Sequence, residues 1–536
     1  MHDPHVLQVL VLLGLSVLGL TLLARRLHVS PPIVLLAGGV ALAYLPWLED
    51  VRLRPDVVLL IFLPPLLYWE SLNTSLREIR ANLRSVMIDS VLLVLATAGV
   101  VAVVGHALGL NWPVAWVLGA VVAPTDATAV AAVAGRMPRR QITILRAESL
   151  INDGTALVVF AIAVEVAVGE VEFGWPGVLS RFLLSYAGGA AVGLLVAWLA
   201  TRARKAIRDP LLDNTLGVLT PFVAFLLAEE IHASGVLAVV VCGLALSQIN
   251  PRLLAAQTRL RARAFLQLAT FLLNGTLFVL VGLQLRRAVE NLVSYSVAEA
   301  VLAALLVSAA VIGTRLAWMY TVPYLLRLVD RRPGQRQRRI RARHRFPIAW
   351  SGFRGGVSLA AALAVPVTVA DGGDFPGRDL IIVVTFGVIV VTLLVQGLTL
   401  PAVLRWARLP DDDSEWDEQR LAERTAVEAG LAALPTAASR LDVSDEVVER
   451  VRADFEERLA ELAEPDGSDE SVGDPTGRSD REAYRLLRSA LMPEKRAAVV
   501  RLRDARLIDD IVLRRIQARL DAEEVRLSAS LEAETE

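Results

Sequence analysis

Several things are scarce in this sequence, and each scarcity excludes a class of protein. Its 536 residues hold one cysteine, Cys242, so no disulfide framework and no multi-thiolate metal site can form within the chain. The six histidines form no cluster, and His344 lies in an arginine-rich stretch. Lysine is almost missing: Lys205 and Lys495 stand against 53 arginines, a bias expected of a GC-rich bacterial source. Residues 90–125 contain no Asp, Glu, Lys or Arg, a run that a water-soluble fold can hardly use and two membrane spans use readily. No H-E-x-x-H or G-x-S-x-G motif and no Cys/His constellation supports an intramembrane enzyme. No cofactor is called for, and nothing in the charge pattern points to nucleic acid.

What is abundant is apolar. The chain is 54% hydrophobic with a mean hydropathy of +0.51, an average lowered by a hydrophilic final quarter. Runs of about 20 apolar residues number thirteen, with cores at 5–24, 31–48, 56–72, 84–108, 113–134, 147–168, 180–200, 211–229, 234–249, 265–284, 297–326, 346–370 and 380–404. The odd-numbered loops hold 26 Lys and Arg, the even-numbered loops 6. Positive residues mark the cytoplasmic side, so the N-terminus is expected outside and the C-terminus inside. A signal peptide would need its positive region ahead of the apolar run. Here Arg25 and Arg26 follow it, so a retained first helix is expected.

From about residue 409 the character changes, beginning with DDDSEWD at 411–417. Val447, Val448, Val451, Phe455, Leu459 and Leu462 fall at helical spacing behind Ser444 as N-cap. A linker rich in Pro, Gly, Ser and Asp follows at 465–480, and 494–520 repeats the amphipathic pattern. A transmembrane unit over 1–408 and a small helical tail over 409–536 are therefore expected. The tail has no G-x-G-x-x-G fingerprint.

An ionisable group inside a bilayer costs several kcal/mol, which makes each one a functional candidate. Asp126 lies in VVAPTDATAV, where Pro124 removes a backbone donor and disfavours helix just before it. An interrupted helix there would free carbonyls for a cation; a simple kink with Asp126 bonded to a neighbour would account for the same residues. In AESLINDGTALV, Ser149 and Asp153 stand at i,i+4, as do Glu148 and Asn152, placing hard oxygen ligands on one helix face. Glu70 ends FLPPLLYWES near the cytoplasmic side, where an interfacial carboxylate is an equal reading. Arg354, in WSGFRGGVSLAAALAVP, must meet a carboxylate or a helix C-terminus. Arg315 needs a partner too, with Glu148 the obvious candidate. Asp89 and Glu165 read as structural or interfacial, Glu229 and Glu230 as solvated.

PTDATAV, ESLINDGTALV and GFRGG, in this order and spacing, resemble the sodium/proton exchanger branch of the monovalent cation:proton antiporters, which includes the bacterial NhaP-type proteins. The resemblance covers roughly residues 5–405. It implies an all-α membrane protein of about thirteen transmembrane helices with inverted repeats, two broken crossing helices and a homodimeric assembly in the bacterial cytoplasmic membrane. It implies that Asp153 alternately binds proton and Na⁺, with Asn152, Asp126, Thr125, Ser149 and Glu70 completing the ion shell. Glu148 falls where the family pairs an acid with an arginine, Arg315 here, and Arg354 is a counter-charge in the second broken helix. The Asn-Asp pair implies electroneutral exchange of Na⁺ (and Li⁺) for H⁺. A K⁺/H⁺ antiporter of the same fold is the alternative, and a channel is disfavoured by counter-charged carboxylates at a broken helix.

Overall fold

The computed structural model describes residues 4–45, 55–81, 83–127, 129–130, 137–169, 174–207, 209–290, 292, 295–329, 342–409, 414–463 and 478–535. Regular structure among them is helical throughout, apart from one isolated bridge between Thr368 and Asp374. Residues 465–477 of the expected linker and most of the arginine-rich segment around 327–345 lie outside the described residues; the last three positions of that linker, 478–480, are already helical.

The membrane helices sort into two bodies by their packing. The first contains α1 (Pro4–Leu27), α2 (Pro31–Leu42) and α3 (Pro55–Asn73); the short α4 (Leu76–Ala81), next in the chain, packs instead on helices of the second, its Ile79 meeting Val86, Ala147 and Ile151. The second opens with α5 (Leu83–Met87) and α6 (Leu93–Ala107), joined through a π turn at Ile88–Leu92, then α7 (Trp112–Val122) and α8 (Arg139–Val168). The chain returns to the first body for α9 (Trp175–Ala206), α10 (Pro210–Glu230), α11 (Gly235–Leu253) and α12 (Ala256–Glu290). It ends the second with α13 (Val297–Val329), α14 (Ala342–Trp350), α15 (Gly356–Leu363), and α16 (Arg378–Val391), which runs through a π turn into α17 (Gly397–Ala407). Among the described residues nine rods are long and apolar enough to cross a bilayer, and α2 and α7 are shorter apolar helices.

Local chemistry sets the ends of these helices. Asn111 accepts from the Val114 amide at 3.0 Å and Ser234 from the Leu237 amide at 3.2 Å, each capping a helix of branched apolar residues. Gly169, at φ 88°, closes α8 in the left-handed conformation that only glycine adopts cheaply. The outward faces are apolar: Leu10, Leu15, Leu18 and Leu22 on α1 and Leu183, Leu184, Leu194 and Trp198 on α9 are all exposed. A surface of that kind is stable in lipid and aggregates in water. Inside, small residues let backbones touch: a Cβ at Gly39 would lie 2.3 Å from the Val279 carbonyl oxygen, and one at Gly282 2.4 Å from that of Leu36.

Beyond the membrane helices, α18 (Ser414–Leu441), α19 (Asp445–Ala463), α20 (Arg478–Asp504) and α21 (Asp510–Thr535) pack on one another around two small apolar cores. The continuous amphipathic pattern over 494–520 is two helices rather than one. The chain turns at 505–509, with Arg506 at φ 61° and the Leu507 amide reaching back to the Leu502 carbonyl at 2.9 Å. The pattern hides the turn because Val499, Ile508, Val512, Ile516 and Leu520 from both sides of it enter the same core.

Candidate functional site

The site lies where two helices fail to continue. Helix α7 stops at Val122, before the residue preceding Pro124, as the steric demand of proline requires. The chain is non-helical until it resumes at Ala127, where the Asp126 carboxylate accepts from the Ala129 amide at 3.2 Å in the manner of an N-cap. Residues 351–355 interrupt the second helix between α14 and α15. The two gaps touch, the Asp126 amide donating to the Phe353 carbonyl at 2.8 Å. A Cβ at Gly355 would fall 1.9 Å from Asp126 Oδ2, so the crossing closes only over glycine.

Arg354 answers the helix end rather than a carboxylate. Its Nε donates to the Val122 carbonyl at 2.9 Å and Nη2 to that of Ala123 at 3.3 Å, with Gly352 O as a third acceptor. A buried guanidinium is thereby placed at the negative end of α7, satisfying carbonyls the break has orphaned. The Arg354 amide donates in turn to Thr392 Oγ1, on the π turn after α16.

Helix α8 supplies the wall. Ser149 donates to the Thr125 carbonyl at 2.6 Å and accepts from the Ala127 amide at 3.4 Å, pinning both sides of the first gap. Asn152, its amide oriented by its hydrogen bonds, accepts from Thr125 Oγ1 and donates to the Glu148 and Ser90 carbonyls, each at 3.1 Å. Glu148 Oε1 stands 2.6 Å from Arg315 Nη1, both side chains 3% exposed or less. Arg315 Nη2 also lies 3.5 Å from the Ile348 carbonyl of α14.

These elements enclose a cavity of about 70 Å³, room for a few water-sized occupants, lined by Glu70, Thr125, Asp126, Ser149 and Asp153 together with Ser358. Asp153 is 3% exposed, and among the described residues its carboxylate has no hydrogen-bond partner. Glu70 Oε1 and Ser358 Oγ are likewise buried without a partner among those residues. Five of the candidate ligands thus share one cavity, while Asn152 holds Thr125 from behind and Glu148, Arg315 and Arg354 brace the surrounding backbone. Among the described residues no three of His, Cys, Asp and Glu gather as a closed metal-binding group. The arrangement is an open oxygen-lined pocket with bare carboxylates, suited to a cation that comes and goes.

The remaining charges are elsewhere. Asp89, on the π turn, accepts from Trp318 Nε1 at 3.0 Å. Glu165 pairs with Arg181 at 2.6 Å on an exposed face, and Glu229 accepts from the Gly235 amide at 3.1 Å. Sequence reasoning missed Asn274, Thr270 and Ser358, which also line the cavity. An amide in the middle of the apolar α12 was a usable signal for Asn274; hydroxyls in membrane helices are too common to single out the other two.

Crossed broken helices, a bare aspartate between them and an apolar outer face define a multi-pass membrane carrier of cations. The comparisons identify the family: the transmembrane sodium/hydrogen exchanger profile matches residues 12–406, and the chain belongs to that family. It is a family of secondary transporters rather than enzymes, exchanging monovalent cations for protons without a cofactor. An uncharacterized Na⁺/H⁺ exchanger of Mycobacterium tuberculosis is 47% identical over 98% of this chain and 97% of its own length. The Na⁺/H⁺ antiporter ApNhaP of Aphanothece halophytica is 29% identical over 75% of this chain and 74% of its own. In fold, the chain is similar to the sodium proton antiporter MjNhaP1 of Methanocaldococcus jannaschii, with a TM-score of 0.58 over 76% of this chain and all of that one, at 19% identity.

Proposed function

We propose that this chain exchanges Na⁺, and Li⁺ where present, for H⁺ one for one across the bacterial cytoplasmic membrane, with proton and cation competing for Asp153. The observation that carries the reading is the buried Asp153 carboxylate, without a partner among the described residues, in an oxygen-lined cavity at the helix crossing. Glu70, Thr125, Asp126 and Ser149 complete the cation shell, and Asn152 orients Thr125. Either occupant neutralises Asp153, so the loaded and the protonated site can cross, while the bare carboxylate is held back by its desolvation cost. Rocking of the second body, which holds α7, α8, α14 and α15, against the first would alternate access.

The membrane unit spans 1–408 through thirteen crossings and assembles as a homodimer, with the tail from 409 onward in the cytoplasm. The tail's contacts support this orientation: it binds the chain after α3 and the adjoining ends of α11 and α12, both at positively charged odd-numbered connections. The test is transport by purified protein in sealed vesicles with an imposed pH gradient and a pH dye, adding Na⁺, Li⁺ or K⁺ in turn. Dissipation by Na⁺ and not by K⁺ is expected. Dissipation by K⁺ alone would overturn the Na⁺ reading, and proton flux with no added cation would overturn antiport.

A further inference from the structure

The tail roofs a second cavity, of about 660 Å³, directly outside the cation site, and Trp69 and Glu70 line both. Five arginines face this vestibule: Arg146 from α8, Arg263 from α12, and Arg514, Arg515 and Arg519 from α21. Two of them are answered by carboxylates, Arg515 by Glu415 at 2.6 Å and Arg519 by Glu423. Arg514 spends its donors on the Leu72 and Asn73 carbonyls at 3.2 and 2.5 Å. Among the described residues Arg146 and Arg263 have no ion pair and no hydrogen bond. Burial pushes Arg514 down to about 10; the Asp510 and Asp509 carboxylates oppose this, and the guanidiniums of Arg146 and Arg263, close enough to be felt, add a smaller push in the same direction as burial.

Arg146 and Arg263 thus carry charge that no ion pair among the described residues answers, and something multivalent and negative in the vestibule would meet both together with Arg514. A void of this size is that of a small-molecule pocket rather than of a single ion. Planar guanidiniums brought to one void from α8, α12 and α21 suit the oxygens of two or more phosphates. The walls also belong to different bodies. Every hydrogen bond or ion pair named here between tail and membrane unit goes to the chain around α3 and α4 or to α11 and α12: Ser75 to Asp509 at 2.6 Å, the Leu76 amide to Asp510 at 3.0 Å, Arg259 to Asp521 at 2.8 Å, Gln517 to the Pro251 carbonyl at 3.2 Å. Arg146 comes instead from α8, the helix of Asp153.

We propose that the vestibule binds a phosphate-rich anion of nucleotide size, which bridges Arg146 on the second body to Arg263 on the first and Arg514 on the tail, and slows exchange by holding the two bodies together. The slowing rests on the two-body reading of transport; the binding does not, and is measured without an ion gradient. The phosphates can come from a soluble ligand or from a lipid headgroup. Pyrophosphate and ATP are therefore titrated against the full chain in detergent, and vesicles of phosphatidylglycerol are compared with vesicles of phosphatidylcholine. Saturable binding of a soluble probe that weakens with salt is expected, about tenfold weaker in Arg146→Gln and in Arg263→Gln and less than about threefold weaker in the already paired Arg519→Gln. Arg146→Lys keeps the charge but not the planar fork, so it should bind more tightly than Arg146→Gln though less tightly than the unaltered chain, and it guards against a fold defect. In neutral vesicles the probe, supplied on the tail side, should slow Na⁺-driven proton movement in the unaltered chain and not in Arg263→Gln. Response to phosphatidylglycerol alone assigns the phosphate to the bilayer. No binding in any arm, binding indifferent to both Gln substitutions, or saturable binding that leaves the exchange rate unchanged would each overturn the proposal.

Discussion

At the scale of single residues the proposed mechanism concentrates on Asp153. If proton and cation compete for one carboxylate, the apparent affinity for Na⁺ must weaken as pH falls, approaching about tenfold per pH unit where the proton dominates, while the maximal rate at saturating Na⁺ changes less. Rates measured across a Na⁺ series at several pH values check this. Asp153→Asn keeps the volume but removes the charge and the exchangeable proton, so it should fold and carry out no exchange. Glu148 and Arg315 make a different demand. Their 2.6 Å contact is fully buried, so removing either partner strands the other at about 3–5 kcal/mol. Glu148→Gln and Arg315→Gln should each lower thermal stability strongly, and the double variant should lose less than the sum. Strict additivity would show that they do not depend on each other. Much of this was legible in advance, because a charge in an apolar run announces itself. The answer to Arg354 was not: either a carboxylate or a helix end would serve, and only the crossing shows the Val122 and Ala123 carbonyls turned towards it.

At the scale of elements, the two gaps are built to touch. Gly355 allows this, since a methyl there would overlap the Asp126 carboxylate that caps the resumed helix at Ala127. Gly355→Ala should therefore push the broken segments apart, abolishing exchange at a stability loss of about 1–3 kcal/mol, the range for overpacking. Transport beside a thermal melt checks it, and a variant that transports normally would remove Gly355 from the argument. The first gap could be read from Pro124, because proline acts on its own neighbours. The second depends on contacts distant in sequence, and its glycines alone allowed either unwinding or close packing. In the tail, the turn at 505–509 could not be read because neither glycine nor proline marks it. The left-handed conformation falls on Arg506, and helical period runs through from α20 to α21. Helix α18 was read only as charged sequence, since Ala422, Ala426 and Leu434 are too small or too sparse to form an obvious stripe, yet they are buried in the tail's two cores.

At the scale of the whole molecule the question is how much charge moves per cycle. Glu148 is balanced by Arg315, and Arg354 faces the negative end of α7, so these charges stay with the protein whichever ion is bound. In the proposed cycle Asp153 is the group whose charge is cancelled once by Na⁺ and once by H⁺, and one-for-one exchange would then transfer no net charge. A carrier that moved one net charge would gain or lose about 2.3 kcal/mol per 100 mV, equivalent to about fifty-fold in the ion gradient it can sustain. The two cases are thus far apart in measurement. In vesicles clamped with a potassium ionophore, exchange by this chain should be the same at 0 mV and at an imposed potential of about 100 mV of either sign, within the scatter of the assay. Asn152→Asp, which sets a second carboxylate beside the first, tests the charge count itself. If the added carboxylate takes up a second proton in exchange for one Na⁺, that variant alone should become sensitive to the potential. Exchange by the unaltered chain that scales with the imposed potential would require a second titrating group to travel with Asp153. Glu70, which lines the same cavity and has one oxygen without a partner among the described residues, would be the first to replace by glutamine.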